Sequence, residues 1–259
     1  MKSNLLRTVL NIGALVAVLL VNWLANVLPL NGKDTGQLSD QYPILTVPAG
    51  YAFAIWGLIY AGLIGFAFYQ SLPSQRDNQR IARITPLFLL SCLANIGWLF
   101  TWHYEILSLN IVLMLVLLGS LIGIYRQLRA DGTQPSTGER WLVWVPFSLY
   151  MGWITVATIV NLTVVLYAAG WQDTGPLGAT LASLLFVVAA GIAATIARRF
   201  DDPAYALVVV WALVAVAIKH AGVMLVAATA WVVAAIVALV IAYTLVKLLR
   251  GSRAVAWQP

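Results

Sequence analysis

The chain has 259 residues, of which 62% are hydrophobic and 9% charged, about a third of the charged share of an ordinary soluble domain. Such a composition excludes a soluble globule, and a net charge of +6 scattered over loops is too small a footprint for nucleic-acid binding. The single Cys92 excludes an intramolecular disulfide and a cysteine-based metal cluster.

A bilayer core of about 30 Å needs about 20 helical residues. Uncharged intervals of that order predict an all-α, polytopic transmembrane helix bundle of eight spans. The first, Arg7 to Leu28, has a basic start and an apolar run, but no small-x-small cleavage site follows, so it reads as a retained helix rather than a signal peptide. An outer loop from Asn31 to Val47 is the longest external connection, and loops of this length often act as lids. The second span is Pro48 to Gln70, the third Ile84 to His103 and the fourth Ile106 to Tyr125. The fifth, Trp144 to Tyr167, lies in an uncharged interval too long for one upright helix, yet Pro146 and the flanking Trp141, Trp144 and Trp171 point to interfacial ends rather than two crossings. The sixth is Leu177 to Ala197. As one helix, Ala204 to Val246 would be about 60 Å long. It therefore turns at Lys219-His220-Ala221-Gly222, giving a short seventh span, Ala204 to Ile218, and an eighth, Val223 to Val246.

The cations supply an independent criterion. With the N-terminus cytoplasmic, thirteen of the fifteen Lys and Arg fall in inner segments and only Lys33 and Lys219 lie outside. The positive-inside rule predicts that split for an even number of spans with N- and C-termini both cytoplasmic, in the cytoplasmic membrane. After Gly170 the spans become richer in Ala and Val. That shift divides a five-helix core, residues 1–170, from three additional helices and a short cytoplasmic tail, residues 171–259.

No Asp, Glu, Arg or Lys sits near the centre of any span, which disfavours proton relays and ion-coupled carriers. The chain lacks HExxH, a P-loop and a readable Ser-His-Asp set, so no catalytic residue and no cofactor is assigned, and enzymatic activity is left open. Lys219 falls at a helix end in an eight-span chain, which does not suit a retinal-linking lysine. His103, Glu105 and His220 lie in outer turns, where they read as polar caps; metal ligation would need a third partner.

The surplus is aromatic, with 11 Trp and 10 Tyr. Trp23, Trp102, Trp141, Trp144, Trp171 and Trp257 fall near span ends, where indoles form a membrane belt. Trp56, Trp98, Trp153, Trp211 and Trp231 sit farther in. Three stripes stand out: Phe53, Trp56 and Tyr60 at i, i+3 and i+7; Asn95, Trp98 and Trp102 at the same spacing; Tyr150, Trp153 and Asn161 at i, i+3 and i+11. Each spacing puts its residues on one helical face, at depths of about 8–12 Å for Trp56, Trp98 and Asn161. Two readings stay open. The faces converge on an aromatic cavity for a flat or amphipathic organic ligand, or they pack helix on helix, with Gly57, Ala61 and Gly65 as a small-residue face and Asn side chains as bridges.

Three segments carry a family resemblance. They are Pro48 to Tyr60 (PAGYAFAIWGLIY), Asn95-Ile-Gly-Trp98, and Tyr150-Met-Gly-Trp153 followed by Asn161. In order and helix placement they resemble the tryptophan-rich sensory proteins and mitochondrial translocator proteins, the TspO/MBR family, over roughly residues 1–170. Phe53 and Trp56 are one residue closer than the family pattern, Ser91 replaces its Gln, and its fifth-helix Pro is displaced to Pro146. The resemblance implies a five-helix bundle that binds porphyrins, sterols or similar planar hydrophobes, with Trp56 and Trp153 facing the ligand and able to support light-dependent porphyrin breakdown. The expectation is therefore a membrane protein, in contact with the lipid bilayer, that binds a planar hydrophobic small molecule between its second, third and fifth helices in a sensory or regulatory role. The residues assigned to binding are Phe53, Trp56, Tyr60, Asn95, Trp98, Tyr150, Trp153 and Asn161. A small-molecule transporter is the alternative function, and a homodimer is among the assemblies left open.

Overall fold

The computed structural model describes residues 2–28, 30–33, 35–172 and 174–255, so the belt position expected for Trp257 lies outside the described residues. Among those described there are helices and turns and no strand. Helix α1 spans Lys2–Val27. The connection expected as a loop instead holds a 3-10 turn, Leu30–Gly32, and a short helix α2, Thr35–Asp40. Asn31 and Gly32 both adopt positive φ there, of 56° and 76°. Left-handed backbone of this kind reverses the chain, and Asn and Gly tolerate it best.

A 3-10 turn, Gly50–Ala54, leads into α3, Ile55–Ser71. Helix α4 spans Gln79–His103 and begins five residues earlier than Ile84. The reason is a cap: the Asn78 side chain accepts from the backbone N–H groups of Arg80 and Ile81. Helix α5 is Leu107–Leu128. Helix α6, the single turn Thr137–Glu139 capped by Ser136, continues through a π-helical turn, Arg140–Trp144, into α7, Val145–Ala168. Pro146 follows directly on the π-helical turn, so the switch from π to α hydrogen bonding falls where its missing N–H would interrupt the ladder, and the long uncharged interval forms one helical run. Then follow α8, Pro176–Arg199, α9, Pro203–Lys219, and α10, Met224–Val255. Among the described residues, seven helical segments are long and apolar enough to cross a membrane, and the 17-residue α9 is shorter.

The helices form two compact units: Met1–Tyr42 with Phe53–Trp171, and Pro43–Ala52 with Gln172–Pro259. In the first, α4 packs on α1 and α5, α7 on α3 and α5, and α1 on α3. Its middle is filled by Phe66, Phe88 and Phe147, each ring edge-on to the other two at 5.1–5.8 Å. One end is stapled by the buried Arg80. Its guanidinium donates to Asp131 at 2.9 Å, to Glu139 at 3.0 and 3.1 Å, to the Thr133 carbonyl at 2.8 Å and to the Thr133 hydroxyl. Arg80 holds the Asp131 carboxyl well below the usual carboxylate range. Trp144, expected in the membrane belt, is instead half-buried with the Arg129 guanidinium 4.3 Å and that of Arg80 5.8 Å from its ring. Cation–π contact with two guanidinium groups holds this indole inside the unit.

In the second unit α8, α9 and α10 pack pairwise through small buried residues such as Ala189, Ala193, Ala215 and Ala234, which let backbones approach closely. Pro43–Ala52 lies along α9. Ala49 N–H donates to the Ala215 carbonyl at 3.2 Å, His220 Nε2–H to Val47 O at 3.0 Å and Trp211 Nε1–H to Ala52 O at 3.0 Å, while the Tyr51 ring meets Trp211 edge-on. Burial pushes the His220 imidazole below its usual value.

The small-residue face of α3 is rotated from the one expected. Gly57 and Ala61 are exposed, and a Cβ on Gly57 would meet nothing within 4 Å. Close approach occurs at Gly62, where a Cβ would lie 2.9 Å from Pro146 Cβ, and, of the three expected, at Gly65, 3.1 Å from Leu142. A proline ring cannot swing aside, so Gly62→Ala should destabilise the protein by about 1–3 kcal/mol. Gly57→Ala should be neutral or slightly stabilising, and thermal unfolding in detergent compares the two.

Candidate functional site

The 3.6-residue period turns three stripes of the first unit toward one another. Trp56 is the hub. Its indole stacks on Tyr60 at 5.3 Å and 24°, lies 6.4 Å from Trp98, and meets Tyr150 and Trp153 edge-on at 5.7 and 6.4 Å. Phe53, carried by the preceding 3-10 turn, meets Trp153 edge-on at 5.7 Å. The edge-to-face geometry suits the ring quadrupoles and separations of this order are contact distances. Trp98, Tyr150, Trp153, Asn95 and Asn161 are buried, whereas Phe53, Trp56 and Tyr60 keep partial exposure.

The two amides lock these rings in place. Asn95 Nδ2 donates to the Tyr150 hydroxyl at 3.0 Å, and its Oδ1 accepts from Asn22 Nδ2 at 2.9 Å. Trp98 Nε1–H donates to Asn161 Oδ1 at 3.1 Å, and Asn161 Nδ2 donates to its own helix at Ala157 O. Asn110 holds the backbone of α4 at the same level, donating to Trp98 O at 3.0 Å. Among the described residues the buried Tyr60 hydroxyl has no partner. All eight residues assigned from the sequence thus meet in one cluster.

One contributor escaped the sequence reading, and another had two assignments. Asn22 joins α1 to the cluster; the signal was its i+11 relation to Asn11, whose amide donates to Gln70 Oε1 at 2.8 Å and Thr85 Oγ1 at 3.2 Å. Trp102, assigned to the belt and also to the stripe of Asn95 and Trp98, is buried, stacked on Trp98 at 6.2 Å and 18° as the stripe requires. The residues after α1 cover it, and its Nε1–H donates to Thr35 O at 3.4 Å. His103 is also more than a cap. Its Nδ1–H donates to Leu30 O at 3.0 Å, its Nε2 lies 3.2 Å from the Thr35 hydroxyl, and Asn31 donates to its carbonyl. One fully buried imidazole therefore ties down the chain that follows α1. No group of three or more metal-ligating side chains occurs among the described residues. Trp211 and Trp231 lie in the other unit and are exposed.

A family model described as TSPO-like protein matches residues 8–243. The chain belongs to that family. The match runs through α8 and α9 and most of α10, past residue 170 where the resemblance in the sequence motifs stops. Comparison with curated proteins and with solved structures returns no match. With its apolar helices and this family membership, the TSPO-like chain is a multi-pass membrane protein.

Two expectations follow from this geometry. Asn95→Leu strands the Tyr150 hydroxyl and takes from the Asn22 amide one of its two acceptors, leaving Val18 O, so it should cost about 1–3 kcal/mol. Asn22→Leu added to it should cost little more, and a double-mutant cycle of thermal unfolding reads the coupling. At the covering segment, the Tyr42 hydroxyl donates to Glu105 Oε2 at 3.1 Å, and burial together with that carboxylate pushes the phenol up to about 12 from 10.0. A raised value means that the contact stabilises the fold fully below the unfolded phenol value and is lost as pH climbs through the folded one. Proteolysis of the Leu30–Tyr42 segment should therefore accelerate above pH 10, and Tyr42→Phe should show the faster rate already at neutral pH.

Proposed function

We propose that this TSPO-like protein binds a planar hydrophobic small molecule, porphyrin- or sterol-like, at the cluster between α3, α4 and α7, in a sensory or regulatory role in the cytoplasmic membrane. The observation that carries the reading is the position of Trp56, whose indole touches four other rings from three helices. Phe53, Trp56, Tyr60, Trp98, Tyr150 and Trp153 supply stacking surface, while Asn95 and Asn161 act by positioning Tyr150 and Trp98. The rings are in mutual contact, so a flat guest exchanges ring–ring for ring–ligand contacts. Trp56 is the indole free to make that exchange, because it alone among the three inner tryptophans is not fully buried. Stacking of this kind contributes about 0.5–1.5 kcal/mol per aromatic contact beyond the burial of area.

The accompanying topology is eight spans with both termini cytoplasmic. The 17 residues of α9 rise about 25 Å, and the cation split of thirteen to two supports an even number of crossings. On this reading the core of residues 1–170 carries the ligand, and residues 171–259 are an added helical unit. The test is protoporphyrin quenching of intrinsic fluorescence in detergent. Trp56→Ala combined with Trp153→Ala should weaken binding by more than about tenfold, the loss of two such contacts. Unaltered binding by a folded double variant would remove the site assignment.

A further inference from the structure

The buried polar side-chain atoms of the eight assigned residues divide into those already used and one that is not. Both amides are spent on the protein itself: Asn95 between Asn22 and Tyr150, Asn161 between Trp98 and Ala157. The Trp98 indole N–H is consumed in the same way. What remains is the hydroxyl of Tyr60, buried and without a partner among the described residues, on a ring that stacks against the hub Trp56. An O–H group held in an apolar interior without an acceptor is costly, and a guest carrying an acceptor recovers that cost.

What lies beyond Tyr60 sets the direction of approach. Phe66 follows six residues later on α3, about 9 Å along the helix. With Phe88 and Phe147 it makes a fully buried plug of three phenyl rings. Neither α3 nor α7 contains a charged residue, and the charges of α4 are confined to Arg80 and Arg83 near its start, below the Phe88 level. An ionised carboxylate carried as deep as Tyr60 would lose its water and find no countercharge, at several kcal/mol. A neutral carbonyl, ether or alcohol would lose far less and would meet the waiting hydroxyl.

Building on the aromatic-site reading above, we propose that the ligand lies with an uncharged hydrogen-bond acceptor innermost, accepting from the Tyr60 hydroxyl above the Phe66–Phe88–Phe147 floor, and with any carboxylates trailing toward the His103 end. The ligand class is thereby narrowed to planar hydrophobes with one neutral, acceptor-bearing edge.

Matched probes separate the polar contact from the stacking. Diacetyldeuteroporphyrin and mesoporphyrin share a macrocycle and two propionates on one edge, and differ in acetyl against ethyl groups on the opposite edge; cholestanone and cholestane form an equivalent pair without carboxylates. Fluorescence titration of the full-length protein should give about fivefold tighter binding of the acceptor-bearing member of at least one pair, the strength of one net hydrogen bond. In Tyr60→Phe, which keeps the stacked ring and removes an unpartnered hydroxyl, that preference should fall to about one. Equal affinities within each pair for the wild type, or a preference that persists in a Tyr60→Phe protein still able to bind, would overturn the assignment to Tyr60 while leaving the aromatic site standing. Binding of no probe would remove the site reading and this proposal together.

Discussion

With the buried charges of the first unit gathered at its Arg80 end, amides and indoles are left to specify how one apolar helix turns toward the next. Apolar side chains pack almost equally well against lipid or protein, so burial alone does not choose a rotation. In the first unit the choice falls to Asn22, Asn95 and Tyr150, which link α1, α4 and α7 in one chain of hydrogen bonds. Trp98 and Asn161 add a second tie between α4 and α7. A rotation of α4 by one residue, about 100°, would break all of these at once. The aromatic stripes then face each other as a consequence, and Trp56 comes to rest among the rings of α4 and α7.

The same unit is fastened differently at its two ends. At the Arg80 end, one buried guanidinium serves two carboxylates and a threonine, so the chain between α5 and α7 is held by charge. At the His103 end, a buried imidazole, the Trp102 indole and the Tyr42 hydroxyl on Glu105 hold the segment after α1. This covering segment lies against Trp102, next to the proposed site.

Much of the aromatic cluster was legible in the sequence. Phe53, Trp56, Tyr60, Asn95, Trp98, Tyr150, Trp153 and Asn161 stand at helical spacings, and a helix has only one way to line up i, i+3 and i+7. Other features were hidden for specific reasons. Trp144 lies near a helix end, where the membrane interface is a sufficient explanation, and nothing in the spacing announces that His103 bonds a chain segment some 70 positions earlier or that Arg80 pairs with Asp131 and Glu139. Of the small-residue stripe at Gly57, Ala61 and Gly65, Gly57 faces open space and Gly65 makes a close approach, and the tightest one is at Gly62, because Pro146 of α7 stands opposite it.

The sequence by itself determined the helical class, the apolar segments, the family and the membership of each aromatic stripe, since these follow from composition, period and motif within one helix. Tertiary structure alone decided which stripes meet, which amides are spent in holding them and which hydroxyl is left over, and that Pro43–Ala52 belongs with α9 rather than with the helix it precedes. These depend on contacts between residues far apart along the chain, where side-chain geometry rather than local period sets the partner.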